Sequence, residues 1–308
     1  MNSSFILYFL SIERVLMNPF VISIVLISTF MHASWNLLAR HSKAEDVFFE
    51  RMQVVVIIVG FIPIIISEYL TRSIPPRAWI YVSCSAIFCG VYYFSLANSY
   101  RVRDFTTVYP VARSLPVLLM GIVDLTRGRT PTIFGWIGMF LVAMGCTLSP
   151  LESIREISLK KYLNKASFWM LLTAVGTVGY STFDKLSSEL VKPGSASAAR
   201  YGYFFYALSG LSYMLIRRLF VPNRVRNQKI GWYLPTLGGI FNFGAYWLIL
   251  WAYQLVGRAS YVVTFRQFSI VIGAIAAFII YREKGFAVRM TAVFTITCGL
   301  VIIAIWGK

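Results

Sequence analysis

The sequence predicts an all-α integral membrane protein of ten transmembrane helices, arranged as two inverted five-helix repeats, and three observations predict it. Of 308 residues, 58% are hydrophobic and 13% charged, with mean hydropathy +0.69, whereas a water-soluble domain holds roughly 45–50% apolar and about 25% charged residues. The apolar residues also fall in runs of roughly 20, the length that crosses a hydrocarbon core about 30 Å thick. Finally, the two halves of the chain can be slid over one another in register.

The runs lie near 19–39, 50–70, 78–99, 105–125, 132–149, 167–187, 198–219, 231–254, 260–281 and 287–306. They read as helices because lipid offers no partner to a free backbone N–H or C=O, and the ten-residue alternation of a transmembrane barrel is missing. The longest connections, 150–166 and 220–230, are short and charged. No soluble domain fits outside the membrane, so function must sit between helices.

Twenty-nine Lys and Arg face 12 Asp and Glu, a net charge of +17. In a soluble chain this would suggest nucleic acid; here no nucleic-acid partner is expected, and the cations read as loops against anionic lipid headgroups of the bilayer. Cys84, Cys89, Cys146 and Cys298 all fall inside predicted spans with no CxxC pair, and read as buried packing thiols. The N-terminus carries no cleavable signal by its pattern, since the apolar Phe5–Leu10 stretch runs into Glu13 and Arg14 without a small-residue cleavage site. Met17, directly before the first span, is an alternative start.

An offset of 154 pairs Gly90 with Gly244, Tyr92 with Tyr246, Val108 with Val262, Val117 with Val271 and Gly145 with Gly299. Farther upstream an offset of 145 sets Trp35, Asn36 and Arg40 against Tyr180, Ser181 and Lys185. The reading is a repeat over 1–150 and another over 151–308, within one membrane domain. Five spans is an odd number, so the halves enter the membrane from opposite sides, the construction used for alternating access around a mid-membrane site. The cation count bears on orientation: loops on the side of the termini hold nine Lys and Arg, those on the other side seventeen. Taken alone, the positive-inside rule puts both termini outside.

A charge at the bilayer centre costs a few kcal/mol on insertion scales, so polar groups within spans point to function. Arg113 lies nine residues past Asp104 and Arg266 eight past Arg258, roughly 13 and 12 Å into their spans. The repeat sets Arg266 against Ala112, so both guanidiniums are expected to approach one central axis. No acid is expected at matching depth, Asp184 and Asp124 lying near span ends. Two central cations without a central acid suggest a bound anion as counter-charge, and guanidinium suits carboxylate or phosphate. The alternative is structural: each arginine bonds carbonyls freed by a nearby helix break, which Pro110 and Pro116 favour for Arg113 and no proline favours for Arg266.

His32, on a stripe with Ser28 and Asn36, and Asp184, on a stripe with Thr173, Thr177 and Tyr180, are candidate proton carriers. Their plain readings are a helix–helix hydrogen bond for His32 and an interfacial pair with Lys185 for Asp184. Tyr92 in span 3, and Asn242 and Tyr246 in span 8, are candidate cavity walls. Trp35, Asn36, Tyr109 and Tyr180 complete the expected substrate-binding set. No metal site and no cofactor is expected: there is no HExxH, GxSxG or Walker-type loop, and the only two histidines, His32 and His41, lie at different depths. That disfavours an intramembrane enzyme. Inverted duplication has no evident use in a receptor or scaffold.

Met31-His-Ala-Ser-Trp-Asn36, the stretch Asp104-Phe-Thr-Thr-Val-Tyr-Pro-Val-Ala-Arg-Ser-Leu-Pro116 and the duplicated ten-span plan resemble the EamA-type members of the drug/metabolite transporter superfamily. The Arg282-Glu-Lys284 turn is similar to the acidic turn between the last two helices of such repeats, although the first half has Arg127-Gly-Arg129 there. The resemblance implies a secondary carrier, often an exporter of metabolites, with a central cavity lined by helices 1, 3, 4, 6, 8 and 9. It also implies a plasma-membrane protein with cytoplasmic termini, against the cation count. The expected partner is a small-molecule substrate, anionic if the arginines bind it and neutral or amphipathic if they are structural. The protein is expected to be a monomer or homodimer.

Overall fold

Helices form at each of the ten expected places, and local chemistry explains where several begin. The structure is a computed structural model that describes residues 17–42, 44–102, 105–151, 165–221, 229–281 and 285–307. Within these, side chains are described except at 100–102, 105–111, 165–166 and 277–281. The elements are α1 (Pro19–Ser42), α2 (Glu45–Thr71), α3 (Pro76–Val102), α4 (Phe105–Thr126), α5 (Ile133–Leu148), α6 (Lys165–Ser188), α7 (Ser195–Phe220), α8 (Tyr233–Leu255), α9 (Ala259–Phe265), α10 (Phe268–Tyr281) and α11 (Phe286–Trp306). Pro19 and Pro76 open their helices where a missing N–H costs nothing. The Asn18 side chain accepts from Val21 N at 2.8 Å, and Thr132 accepts from Gly135 N at 3.0 Å to cap α5. Most of the 150–166 connection and the Arg282-Glu-Lys284 turn lie outside the described residues.

Two expectations are corrected. The ninth span is not one helix: α9 ends at Phe265 and α10 begins at Phe268, with Arg266 and Gln267 in the turn between. By contrast α4 stays helical through Pro110 and Pro116, so the break that proline foreshadowed near Arg113 lies in the other half instead.

Five helices, α1, α2, α3, the α9–α10 stretch and α11, are long and apolar enough to cross a membrane by length and composition alone. Among the others, α5 is apolar but short, at 16 residues, and α6 and α7 carry polar side chains that face protein. Thr173, Thr177, Ser181, Asp184 and Lys185 of α6 are all buried, as are Arg200, Ser209 and Arg217 of α7. Opposite in character is α2, which turns Ile58, Val59, Phe61, Ile62 and Ile66 outward, where lipid is the natural solvent.

The helices pack in matched pairs. α3 packs on α6 and α8 on α1; α3 on α7 and α8 on α2; α4 on α5 and α10 on α11; α4 on α6 and α10 on α1. Between the halves, α5 meets α11 through small residues. A Cβ on Gly138 would lie 2.6 Å from the Gly299 carbonyl oxygen, one on Gly299 at 2.6 Å from that of Gly138, and one on Gly145 at 2.8 Å from that of Ala292. Gly299→Ala is therefore expected to destabilise the bundle by about 1–3 kcal/mol, as overpacking of a close contact does. Gly273→Ala, where nothing lies within 4 Å of the added atom, is expected to leave it unchanged or slightly stabler. Melting temperatures in detergent check both.

The ends Pro19 and Trp306 share one face. There Thr132 Oγ1 donates to the Trp306 carbonyl at 3.4 Å, Arg258 Nε to the Thr130 carbonyl at 3.0 Å, and Lys192 N to the Ser73 carbonyl at 3.0 Å. We call it the terminal face.

Candidate functional site

The break in the ninth span creates the polar centre of the molecule. Gln267 N turns to the Thr264 carbonyl at 3.0 Å and Ile270 N to the Gln267 carbonyl at 2.8 Å, which tightens the turn and leaves the Val263 and Arg266 carbonyls without their α-helical partners. Side chains replace them. Gln267 Nε2 donates to the Val263 carbonyl at 2.7 Å, Ser269 Oγ to the Arg266 carbonyl at 2.9 Å, and Arg113 Nη2 reaches the same carbonyl at 3.4 Å. Arg113 Nε also donates to Gln267 Oε1 at 3.0 Å. Arg113 thus bonds a carbonyl freed at a helix break, as the structural alternative has it, but the break is on α9–α10.

Arg266 differs. It is 5% exposed, yet its Nη1 is buried with no hydrogen-bond partner among the described residues. Its guanidinium carbon sits 5.2 Å from the centroid of the Tyr246 ring, a cation–π arrangement, and the Tyr180 side chain is hydrogen-bonded to the same guanidinium. A carboxylate is nonetheless tied to this centre. Asp184 accepts hydrogen bonds from Ser85 Oγ and Tyr201 OH at 2.6 Å each and from Tyr246 OH, so the ring beneath Arg266 is anchored to a buried carboxylate. Sequence position places Asp184 late in its span; the inward side chains of Tyr201 and Tyr246 carry the polar centre to it.

Asp184 does not pair with Lys185. The lysine Nζ donates to the carbonyls of Tyr253 at 2.8 Å and Val256 at 2.6 Å, and lies 3.3 Å from Glu189 Oε1. Glu189 also accepts two bonds from Arg127, at 2.9 and 3.0 Å. Burial raises the Glu189 carboxyl, but Lys185 and Arg127 more than offset this and hold it below the usual carboxylate range. A carboxyl lowered on folding stabilises at pH above its unfolded value, and that contribution is lost as pH falls through the lowered value. Melting curves of wild type and Glu189→Gln are therefore expected to differ near neutral pH and to converge in acid.

Around Arg266 lies a cavity of about 20 Å³, room for a water or so. His32, Trp35, Tyr92, Tyr180, Asn242 and Tyr246 line it with Arg266. Asn36 lies just behind, its Nδ2 bonded to the His32 carbonyl at 2.7 Å. Arg113 is not in the wall, and the Tyr109 side chain lies outside the described residues. Ring contacts join the walls: Tyr92 to Tyr180 at 5.7 Å and Tyr180 to Tyr246 at 5.6 Å between centroids. Cys89, Tyr93, Phe205 and Tyr206 also line the cavity and were not anticipated. The tyrosines left a signal, since Tyr93 adjoins Tyr92 and α7 carries Tyr201, Tyr206 and Tyr213 among its buried residues. Cys89 is a buried thiol as expected, but Cys84 and Cys298 are only half-buried.

His32 faces a donor on each side. Trp35 Nε1 donates to its Nδ1 at 3.1 Å, and Arg113 Nη1 lies 3.1 Å from its Nε2. A neutral imidazole has one acceptor nitrogen, so one of these contacts at a time is a full hydrogen bond. The ring couples the Arg113 cap to the cavity wall.

The bundle with its charged, aromatic-walled cavity matches families of one class, the membrane transporters. The chain belongs to the sugar transport protein family, whose profile matches residues 108–307; with the EamA-like transporter family matching residues 19–150, it is an EamA-type member of the drug/metabolite transporter superfamily. One solved structure, a crystal structure of a protein, superposes with a TM-score of 0.68 over 93% of this chain and 97% of its own at 14% identity, a likeness of fold alone. No curated protein matches.

Proposed function

We propose that the protein is a secondary active transporter that moves a small anionic metabolite by alternating access, with Arg266 as the anion-binding group. One observation carries this: a buried guanidinium at a helix break, facing the cavity with an orphaned Nη1. Arg113 and Arg266 bring two positive charges to the centre, and ionised Asp184 brings one negative. A single bound anion balances the remainder. A proton taken up by Asp184 restores the positive surplus that a bound anion cancels, so anion binding and proton uptake favour each other. The coupling is then anion–proton co-transport, and export, the direction the family resemblance implies, requires an outward anion gradient that outweighs any inward proton gradient. Asp184→Asn is expected to keep anion binding while removing the response of flux to an imposed pH gradient in proteoliposomes; flux that still tracks the gradient in this variant would rule Asp184 out.

Alternation rests on two inverted five-helix repeats, 1–150 and 151–308. Supporting this reading, the Arg113–Gln267 hydrogen bond joins residues 154 apart, the offset of the repeat, as equivalent positions meeting on a twofold axis must be. Gly138 against Gly299 and Gly145 against Ala292 are reciprocal contacts in the same register, and the repeat-related pairs Trp35 and Tyr180, and Tyr92 and Tyr246, line one cavity. Placement in the plasma membrane with cytoplasmic termini follows the family against the cation count. A second reading, transport of a neutral sugar, is favoured by the name of the matched family and by the hydroxyl-rich aromatic walls. A thermal-shift screen of the purified protein against phosphate, small carboxylates, neutral sugars and amino acids separates the two. A ligand at a hundred times its Kd adds about 2.7 kcal/mol; stabilisation by neutral sugars alone would discard the anion reading.

A further inference from the structure

A second cavity, of about 560 Å³, opens at the terminal face, with Arg129, Lys185, Ser188, Glu189, Lys192 and Gln254 in its wall. Two of its wall residues, Lys185 and Glu189, belong to a charge quartet. Lys185 and Arg127 share Glu189 as described, Arg127 Nη1 lies 3.6 Å from Asp124, and Asp124 Oδ2 accepts from Ser260 N at 2.7 Å. Through Lys185 the quartet also holds the Tyr253 and Val256 carbonyls. Two cations and two carboxylates thus tie the terminal-face ends of α4, α6, α8 and α9. Tyr253 stands two helical turns beyond the cavity-lining Tyr246, so the quartet seals this face about 10 Å from the central site.

The members are not equivalent. Asp124 has no exposed side-chain surface, whereas Glu189 is 38% exposed and borders the cavity. Glu189 also carries the link: it belongs to the end of α6, so its bonds to Arg127 bridge α6 to α4. A free oxyanion offers Lys185 and Arg127 the same acceptors without joining the two helices. At the repeat-related positions the opposite face carries Arg40 for Lys185, but Ala44, Phe278 and Tyr281 for Glu189, Asp124 and Arg127. At these positions only the terminal face carries carboxylates.

We infer that the 560 Å³ cavity is a staging site for the anionic substrate, and that an anion bound there opens the terminal face by taking over the Glu189 contacts with Lys185 and Arg127. The inference rests on the anion reading of the central site. Arg129 supplies a further cation at the mouth; Lys192 lines the wall while its Nζ donates to the Thr71 carbonyl at 2.6 Å.

The test is a spin-label distance between Thr126→Cys, at the end of α4, and Ala196→Cys, just past the α6–α7 connection, both exposed positions. It uses full-length protein lacking its native cysteines, in uncharged detergent. Inorganic phosphate and gluconate are compared with sodium chloride at equal ionic strength. Either oxyanion is expected to lengthen the distance where chloride does not. Glu189→Gln should show the long distance without anion, and Arg129→Gln/Lys192→Gln should need at least about tenfold more anion. No response, or an equal one to chloride, overturns the inference, because screening alone would then move the helices. A response seen only in nanodiscs containing phosphatidylglycerol overturns it too, by assigning the site to a lipid headgroup. Arg266→Ala separates the two claims. An unchanged response there upholds the staging site whatever the central cavity binds, while a response lost in Arg266→Ala and retained in Arg129→Gln/Lys192→Gln leaves the central cavity as the sole anion site and overturns the inference.

Discussion

Replacing Arg266 by alanine is expected to abolish anion binding while leaving the protein folded and no less stable. Truncating one partner of a buried charge-assisted contact costs about 2–5 kcal/mol of binding, which is roughly 30- to several thousand-fold in Kd. Stability does not follow, because the guanidinium has an unpartnered Nη1 among the described residues and a buried charge without full compensation is itself unfavourable. Arg266→Lys keeps the charge but not the paired donors of guanidinium, and is expected to bind more weakly than wild type and better than alanine. Titration calorimetry and melting curves on the three proteins check this; a strongly lowered melting temperature for Arg266→Ala would assign the residue to the scaffold.

Arg113→Ala is expected to show the reverse pattern. Arg113 holds Gln267, the Arg266 carbonyl and the His32 ring at 3.0, 3.4 and 3.1 Å. Interhelical side-chain bonds in membranes average about 0.6 kcal/mol and reach about 1.7, so losing three contacts from a charged donor should cost about 2 kcal/mol. The variant should melt earlier. Since the broken turn also positions Arg266, anion affinity should fall as well, but by less than in Arg266→Ala. Arg113→Lys is not expected to rescue, because a point charge cannot span Gln267 and the Arg266 carbonyl together. Full stability in Arg113→Ala would show that Gln267 and Ser269 suffice to hold the break.

The fold was legible because lipid allows few solutions: apolar length places the spans, and each of the ten runs holds helix. What the sequence did not disclose was the break at Arg266. Proline marks a break by removing a donor, and Pro110 and Pro116 drew attention to α4, where the helix continues. The break in α9–α10 is made by side chains that replace backbone bonds, and Arg-Gln-Phe-Ser carries no propensity signal for that. The repeat did contain the clue, since Gln267 stands at the position equivalent to Arg113. Asp184 was legible as a buried acid but not as part of the centre, because its link to Arg266 runs through the Tyr246 ring, a contact no spacing rule along one helix reveals. Tyr206 and Phe205 were missed because α7 belongs outside the helices that the family resemblance places around the cavity.

The Arg113–Gln267 bond has a mechanical consequence. In a carrier whose inverted halves exchange conformations, a contact between equivalent positions maps onto itself when the exchange occurs. An off-axis contact with a repeat-related twin, such as Gly138–Gly299 with Gly145–Ala292, survives the exchange, one without a twin, such as the Glu189 bridge, is made in one state and broken in the other, and this bond has no reason to break in either. In such a carrier it would serve as a fulcrum: the helices would swing about it while the segment bearing Arg266 kept its place, so the proposed binding group would be presented alternately to each side without being carried across.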